Sequence, residues 1–401
     1  MSEWRVCTVQ DLIDDGKLEP PMDGNHGEIH PKVADYTAFG VPFIMASDLL
    51  NGKIDYTHCK YISEKTVSTL RKGFAKSGDV LLTHKATIGR TAIVDNGFPF
   101  IILTPQVTYY RVLKEINNKY LKYYFDSDFF IDTLTAWANS GSTRLYLGIT
   151  EQRKLPVVLP DMNTQGTIVE ILSSLDDKID LLVRQNATLE ALAQTYFRQW
   201  FVEEANEAWK ILALIDFGKI VCGKTPSTQI TDYYGEDVPF LKIPDMHNSL
   251  FVYKTTDYLS VKGANSQVNK NIPVNSICVS CIATVGLVVI NAVECQTNQQ
   301  INSLTPYNSK HLYYLFCFLR NYAEDLEALG SGGTTVGNVN TSLFSGIELN
   351  CPDDRSLNKF NDIVTPLFEK IESNTRQTFT LQKLRDTLLP KLVSGNVRVR
   401  I

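Results

Sequence analysis

Residues 168–200 read IVEILSSLDDKIDLLVRQNATLEALAQTYFRQW, and the spacing of their apolar positions decides the fold. Ile168, Leu172, Leu175, Ile179, Leu182, Asn186, Leu189, Ala193, Tyr196 and Trp200 are separated alternately by four and three residues. That period of 3.5 is the a/d seam of a helix packed lengthwise on another helix; a half-buried strand would alternate every second residue. The polar member, Asn186, falls at an a position, where a buried amide fixes register and partner at some cost in stability. A matching seam follows 192 residues later: Phe360, Val364, Leu367, Ile371, Asn374, Thr378, Leu381, Arg385, Leu388, Leu392. Its middle is more polar, Pro366 lies near its start, and Pro390 is expected to end it. Each helix should span about 30 to 35 residues, roughly 50 Å at ~1.5 Å per residue.

Outside the helices the chain repeats itself. Val41-Pro42-Phe43-Ile44 returns as Val238-Pro239-Phe240-Leu241, and Ala86-Thr87-Ile88-Gly89 as Ala283-Thr284-Val285-Gly286, both 197 residues on. Gln106-Val107 matches Gln300-Ile301, Ser140-Gly141-Ser142-Thr143 matches Ser331-Gly332-Gly333-Thr334, and Leu159-Pro160-Asp161 matches Cys351-Pro352-Asp353. Leu12-Ile13-Asp14-x-Gly16-Lys17 likewise matches Leu214-Ile215-Asp216-x-Gly218-Lys219. A period near 195 residues is far too long for a solenoid and means one domain plus one helix, used twice. The order domain, helix, domain, helix makes the second helix run back along the first. The predicted product is two similar globules held apart by an antiparallel coiled coil. Separate packing of each helix on its own domain is the alternative, which leaves the twin seams unexplained.

The composition fits a folded globular chain. Of 401 residues, 44% are hydrophobic and 21% charged, which excludes collagen, low complexity and wholesale disorder. Eight cysteines are too sparse for a disulfide scaffold and read as free thiols of a cytoplasmic protein. Residues 1–15 are charged throughout, so no signal peptide is expected. Asn271 to Val293 lacks charge but carries Pro273, Gly286 and many β-branched residues; it reads as two buried strands rather than a membrane span. The net charge of -5 is unevenly spread. Residues 161–204 hold 3 basic and 8 acidic side chains, and residues 353–401 hold 9 and 6, so the helices complement each other. Neither globular half is strongly basic.

Several motifs carry chemistry on paper. Gly218-x4-Gly223-Lys224-Thr225 satisfies the P-loop pattern, with Ile211 to Ile215 as a possible preceding strand. Pro226 and the polar run after it offer no helix to start at the Lys-Thr pair, which a phosphate cradle requires. Cys278-x2-Cys281 is half of a zinc pattern within an apolar strand, better read as a buried thiol pair. His26-x3-His30 lies among Gly and Pro, without a helix to align its rings. No amino-methyltransferase motif, S-adenosylmethionine loop or nuclease carboxylate cluster is evident.

The order of the motifs then points to a family. Gly78-Asp79-Val80-Leu81-Leu82 precedes Ala86-Thr87-Ile88-Gly89; Gly223-Lys224-Thr225-Pro226-Ser227 precedes Tyr233-Tyr234-Gly235 and Val238-Pro239-Phe240. Leu189-Glu190-Ala191-Leu192 runs on to Phe197-Arg198-Gln199-Trp200-Phe201, and Leu388-Leu389-Pro390-Lys391-Leu392-Val393-Ser394-Gly395 closes the second helix. Duplicated and in this order, they make the whole chain resemble the DNA specificity subunit of type I restriction-modification enzymes. The resemblance implies an α+β fold: a target-recognition domain at 1–162, a spacer helix at 163–204, a second target-recognition domain at 205–353, and a second helix with a C-terminal tail at 354–401, related by a pseudo-twofold axis. Each domain would read one half of a split duplex DNA site. The helices would set the gap and dock DNA adenine methyltransferase subunits, two of them, which restriction-translocase subunits can join. The chain itself would be non-catalytic, without cofactor, metal or membrane. The segment Pro20 to Pro31 departs from the pattern, because it does not match Gly223 to Ser227.

Candidate DNA contacts lie in loops rich in donors and Gly. They are His84, Lys85, Thr87, Arg90 and the run Ser140 to Tyr146 (Ser142, Thr143, Arg144 and Tyr146 foremost) in the first half. In the second half they are Lys224, Thr225, Ser227, Lys242, Thr284, Ser331, Thr334 and Thr335. Arg and Lys suit guanine edges or phosphate, while Ser and Thr serve either. Two other functions compete with DNA recognition: a P-loop nucleotide-binding protein, and a coiled-coil adaptor that never touches DNA.

Overall fold

In the computed structural model, which describes residues 4–139, 145–247, 249–330 and 337–398, the first long helix is Met162–Arg198 and continues into a π-helical turn, Gln199–Glu203. The second long helix is Asp354–Val393. Pro390 does not end it. A proline removes one helix hydrogen bond and costs roughly 3 kcal/mol, but the turn beyond it carries Leu392 and Val393, both buried. Burying two such side chains contributes about 3 to 6 kcal/mol, enough to hold that turn in place. The chain leaves it through Gly395 at φ +73°.

By contacts the chain divides into two units, residues 1–179 with 380–401, and residues 180–379. The division falls inside both helices, so each unit contains a segment of each.

The first unit is built on a four-stranded sheet in the order Thr87–Ile93, Val80–Lys85, Val107–Tyr110, Met22–Asp23, its neighbours antiparallel. A five-stranded sheet includes Val41–Ile44 parallel to Ile101–Leu103. Arg5–Thr8 pairs with Pro156–Leu159 as a ribbon that brings the start of the domain to the start of the first helix. The helices Asn118–Asp126 and Asp128–Ala138 bury Tyr120, Leu121, Phe125, Phe130 and Leu134 against Val80, Leu82 and Tyr110. The same core takes in Ile168, Val169 and Leu172 from the first long helix and Leu389, Leu392 and Val393 from the second.

The second unit repeats this plan. Its main sheet runs Gly218–Cys222, Ile301–Pro306, Ile277–Ser280, Val288–Asn291, Phe251–Val252. Tyr234–Leu241 pairs in parallel with Gln296–Thr297, as Val41–Ile44 does with Ile101–Leu103. Lys210–Ala213 with Glu348–Cys351 makes the equivalent ribbon. Ile277–Ser280 and Val288–Asn291 are the two buried strands expected of the uncharged stretch, and no described helix is long and apolar enough to cross a membrane. Leu357, Phe360, Val364, Phe368 and Ile371 share a core with Ala193, Phe197 and Phe201.

Within each unit the helix segments are antiparallel. In the first, Arg385 Nη1 pairs with Asp176 Oδ1 at 2.9 Å, late residue against early. In the second, the Asn374 side-chain amide donates to Asn186 Oδ1 at 2.8 Å and to Gln185 Oε1 at 3.0 Å, and Asn186 Nδ2 donates to Thr375 Oγ1 at 3.3 Å. Leu172, Ile179, Leu182, Val364 and Ile371 are buried. Leu175, Leu189, Leu367, Thr378, Leu381 and Leu388 are half-buried. The buried stripe is wider than a strict seam. Phe368 is fully buried beside Leu367 and stacks on Tyr313 at 4.2 Å, because each helix also packs on its own sheet-and-helix core.

The amide layer gives a stability test. Asn374→Leu alone takes the donor from Asn186 Oδ1 and should destabilise the chain by about 1–3 kcal/mol. Adding Asn186→Leu should recover most of that loss in thermal unfolding, since two apolar groups of similar shape replace both partners. A single variant as stable as the parent would contradict the pairing.

Candidate nucleic-acid interface

The duplicated Ala-Thr-x-Gly motif is a strained hairpin. In the first unit Ala86 turns the chain between Val80–Lys85 and Thr87–Ile93 at φ +64°, and Gly89 follows at φ +83°. In the second, Ala283 sits at φ +67° and Gly286 at φ +91°. A left-handed backbone costs a non-glycine residue about 1–2 kcal/mol, and the same local bonds hold it in both places. Ala86 N–H donates to Leu145 O at 3.0 Å, and Ala283 N–H to Gly337 O at 3.1 Å. Thr83 Oγ1 accepts from Arg90 N–H, and Ser280 Oγ from Leu287 N–H, each at 2.9 Å. The flanking bridges correspond as well: Lys85 opposite Tyr146, Ile282 opposite Asn338.

Beside each hairpin lies a glycine with no room for a side chain. A Cβ on Gly223 would stand 2.1 Å from Asn298 O, and one on Gly24 would stand 1.8 Å from Leu103 O. Gly24 therefore does in the first unit what Gly223 does in the second. Pro20 to Pro31 does not match Gly223 to Ser227 in sequence because the residues after the glycine differ, Asn25-His26 against Lys224-Thr225.

In the first unit the hairpin exposes Lys85, Thr87 and Arg90. Lys85 Nζ stands 5.8 Å from the centre of the Tyr146 ring, itself 46% exposed. Arg90 Nη1 donates to Ala46 O and Leu49 O, so part of its guanidinium is engaged. His84 is not a surface donor. It is wholly buried, its Nδ1 bonds Leu147 O at 2.9 Å, and its Nε2 has no partner among the described residues. The strand is buried on both faces from Val80 to His84, which the sequence hid because the residues on either side of His84, Thr83 and Lys85, are polar. Asp23 is buried and accepts from Lys72 and from His26 Nε2. Burial alone would raise its carboxyl, but those two partners hold it below the usual range. His26 is thus tied to Asp23, and His30 to Asn25 O.

In the second unit Lys224, Ser227 and Thr284 are exposed, and Thr225 Oγ1 donates to Gln299 Oε1 at 2.5 Å. Lys242 is spoken for: its Nζ pairs with Asp257 at 2.7 Å and lies 5.4 Å from the Phe240 ring centre. Gln299, Asn302, Asn338 and Asn340 gather near the hairpin, unforeseen from sequence. The only signal was the density of carboxamides in QTNQQIN (296–302) and NVN (338–340). Ser140, Ser142, Thr143, Arg144, Ser331, Thr334 and Thr335 lie outside the described residues.

The P-loop reading fails on geometry. Gly218–Cys222 is a strand, paired antiparallel with Ile301–Pro306, and Lys224 opens no helix. Of the supposed preceding strand, only Lys210–Ala213 is one; Leu214–Phe217 is a helical turn. Cys278 and Cys281 are buried free thiols.

The type I restriction modification DNA specificity domain family matches residues 1–191 and again 206–382. The chain is 33% identical over 450 residues to the type I restriction enzyme HindI specificity subunit of Haemophilus influenzae, covering 90% of this chain and 96% of that protein. It is 26% identical over 424 residues to the MjaIX specificity subunit of Methanocaldococcus jannaschii, covering 99% and 94%. The crystal structure of the type I restriction-modification S subunit from M. genitalium shares the fold, with a TM-score of 0.56 at 16% identity over 97% of this chain and 96% of that one.

Two measurements probe this geometry. Gly223→Ala should cost about 1–3 kcal/mol of stability through overpacking against Asn298 O, while Ser227→Ala, at an exposed position, should stay within about 0.5 kcal/mol; equal effects would contradict the close approach. Burial holds the His84 imidazole below its ordinary value of 6.5. As pH falls through that value the unfolded chain takes up a proton that the folded chain refuses, so this contribution is complete above it and is lost on acidification. His30 and His311, both lowered by burial, act in the same direction. His84→Phe should therefore flatten the decline of Tm between about pH 7.5 and 5.5; an unchanged slope would place His84 in contact with water.

Proposed function

The chain belongs to the type I restriction modification DNA specificity family, and from that footing we propose that its two units read the two halves of a split duplex DNA site. It is a non-catalytic recognition subunit with two target-recognition domains. One observation carries the division of labour. The two units share a backbone at the hairpin but differ in what they offer there: Lys85 and Tyr146 in one, Ile282 and Asn338 in the other. A repeated scaffold with unlike donors suits two readers of unlike sequences. The helix pair sets the number of unread base pairs between them and docks two adenine methyltransferase subunits, with restriction-translocase subunits completing the enzyme. Counterion release scales with the phosphates a protein neutralises, and with no strongly basic half this chain depends on its partners for much of that attraction.

Methylome sequencing of cells carrying this chain with its methyltransferase should yield one motif in two parts; an unsplit motif or none would reject the reading. Inserting a heptad into both long helices adds about 10 Å, close to three base pairs at ~3.4 Å each. The gap in the motif should lengthen by about that number, and an unchanged gap would sever the helices from spacing.

A further inference from the structure

The second unit holds a notch around Ile282 and Asn338 to which the reading above assigns no base. A cavity of about 160 Å³ opens beside the Ala283 hairpin, floored by Cys281 and Ile282 and walled by Gln299, Asn302, Asn338 and Asn340. Asn302 is buried and accepts from Thr341 Oγ1 at 3.1 Å, which fixes one wall. Gln299 Oε1 accepts from Thr225, leaving its NH2 as the free end. Asn340 Oδ1 caps Leu343 N–H, again leaving an NH2. The Asn338 carboxamide is exposed and bonds no described residue at either end, while its backbone is fastened by N–H to Gly330 O. The notch thus presents one complete amide, two further donors and an apolar floor, on backbone that does not depend on those side chains.

We infer that this notch reads the major-groove edge of an A·T pair, with Asn338 as its principal specificity-determining residue. An amide matches adenine through one donor to N7 and one acceptor from N6–H2, and the C5-methyl of thymine needs an apolar surface such as Ile282. Guanine presents two acceptors there and suits a cation instead. The first unit supplies that contrast. Lys85 stands where the second unit has Ile282, and Tyr146 where it has Asn338. The inference rests on the bipartite reading above and adds a base class and named residues to one of its halves.

The test is methylome sequencing of the full chain with its methyltransferase, comparing the parent with Asn338→Ala, Gln299→Ala and Lys85→Ala. Asn338→Ala should relax one A·T position by on the order of ten- to hundredfold in preference, leaving the gap and the other half intact. Gln299→Ala, which leaves the Asn338 backbone untouched, should weaken the same half, and Lys85→Ala should act only on the other. An unchanged motif in both Asn338→Ala and Gln299→Ala would overturn the assignment, as would a parent half-site without an A·T pair at the affected position. A parent with no split motif at all would fail the bipartite reading itself.

Discussion

The apolar core of each unit is built in part from segments of both long helices. In the first unit Tyr110, Leu121 and Phe130 share one core with Ile168 and Leu172 of the first long helix and with Leu392 and Val393 of the second. The second unit is built in the same way with Phe197, Phe201, Phe360 and Phe368. Burial of helix segments drawn from two distant stretches of sequence is the constraint from which the rest follows. It explains why the buried stripes are wider than a coiled-coil seam, why Pro390 is tolerated within a helix, and why the terminal ribbons sit where the helices begin. The amide layer of Asn186 and Asn374 adds register to an attraction that, being apolar, has little of its own.

Above that shared core, the two units separate what must be constant from what must vary. The constant part is backbone: an alanine forced into a left-handed conformation, a glycine three residues later, and a second glycine pressed against a carbonyl. The variable part is the side chains that this backbone displays. Lys85 and Tyr146 offer charge and a ring; Ile282 and Asn338 offer an apolar surface and an amide. Strain confined to the turn fixes where the variable side chains stand, so their chemistry can change without moving them.

The constant features were the legible ones. Ala86 and Ala283 return at one offset with the Thr and Gly that follow them, and the helices announced themselves through a period no strand shares. What depended on three-dimensional environment was not legible. His84 reads as a surface donor until both faces of its strand are covered, and Lys242 reads as a free cation until Asp257 meets it. The equivalence of Gly24 with Gly223 is carried by a close approach to a carbonyl, and no flanking residue records it. The carboxamides of the notch come from two stretches some forty residues apart and have no spacing that marks them as a group.

Both helix segments of the first unit's core come from outside residues 1–160, and one of them arrives late. Residues 180–379 separate Leu172 from Leu389, Leu392 and Val393. At ~5–20 residues per second on the ribosome, that interval is about 10 to 40 seconds. During it the first domain holds an open apolar stripe while the second domain, whose helix segments are contiguous with it, can already close. The half of the molecule made first is therefore finished last.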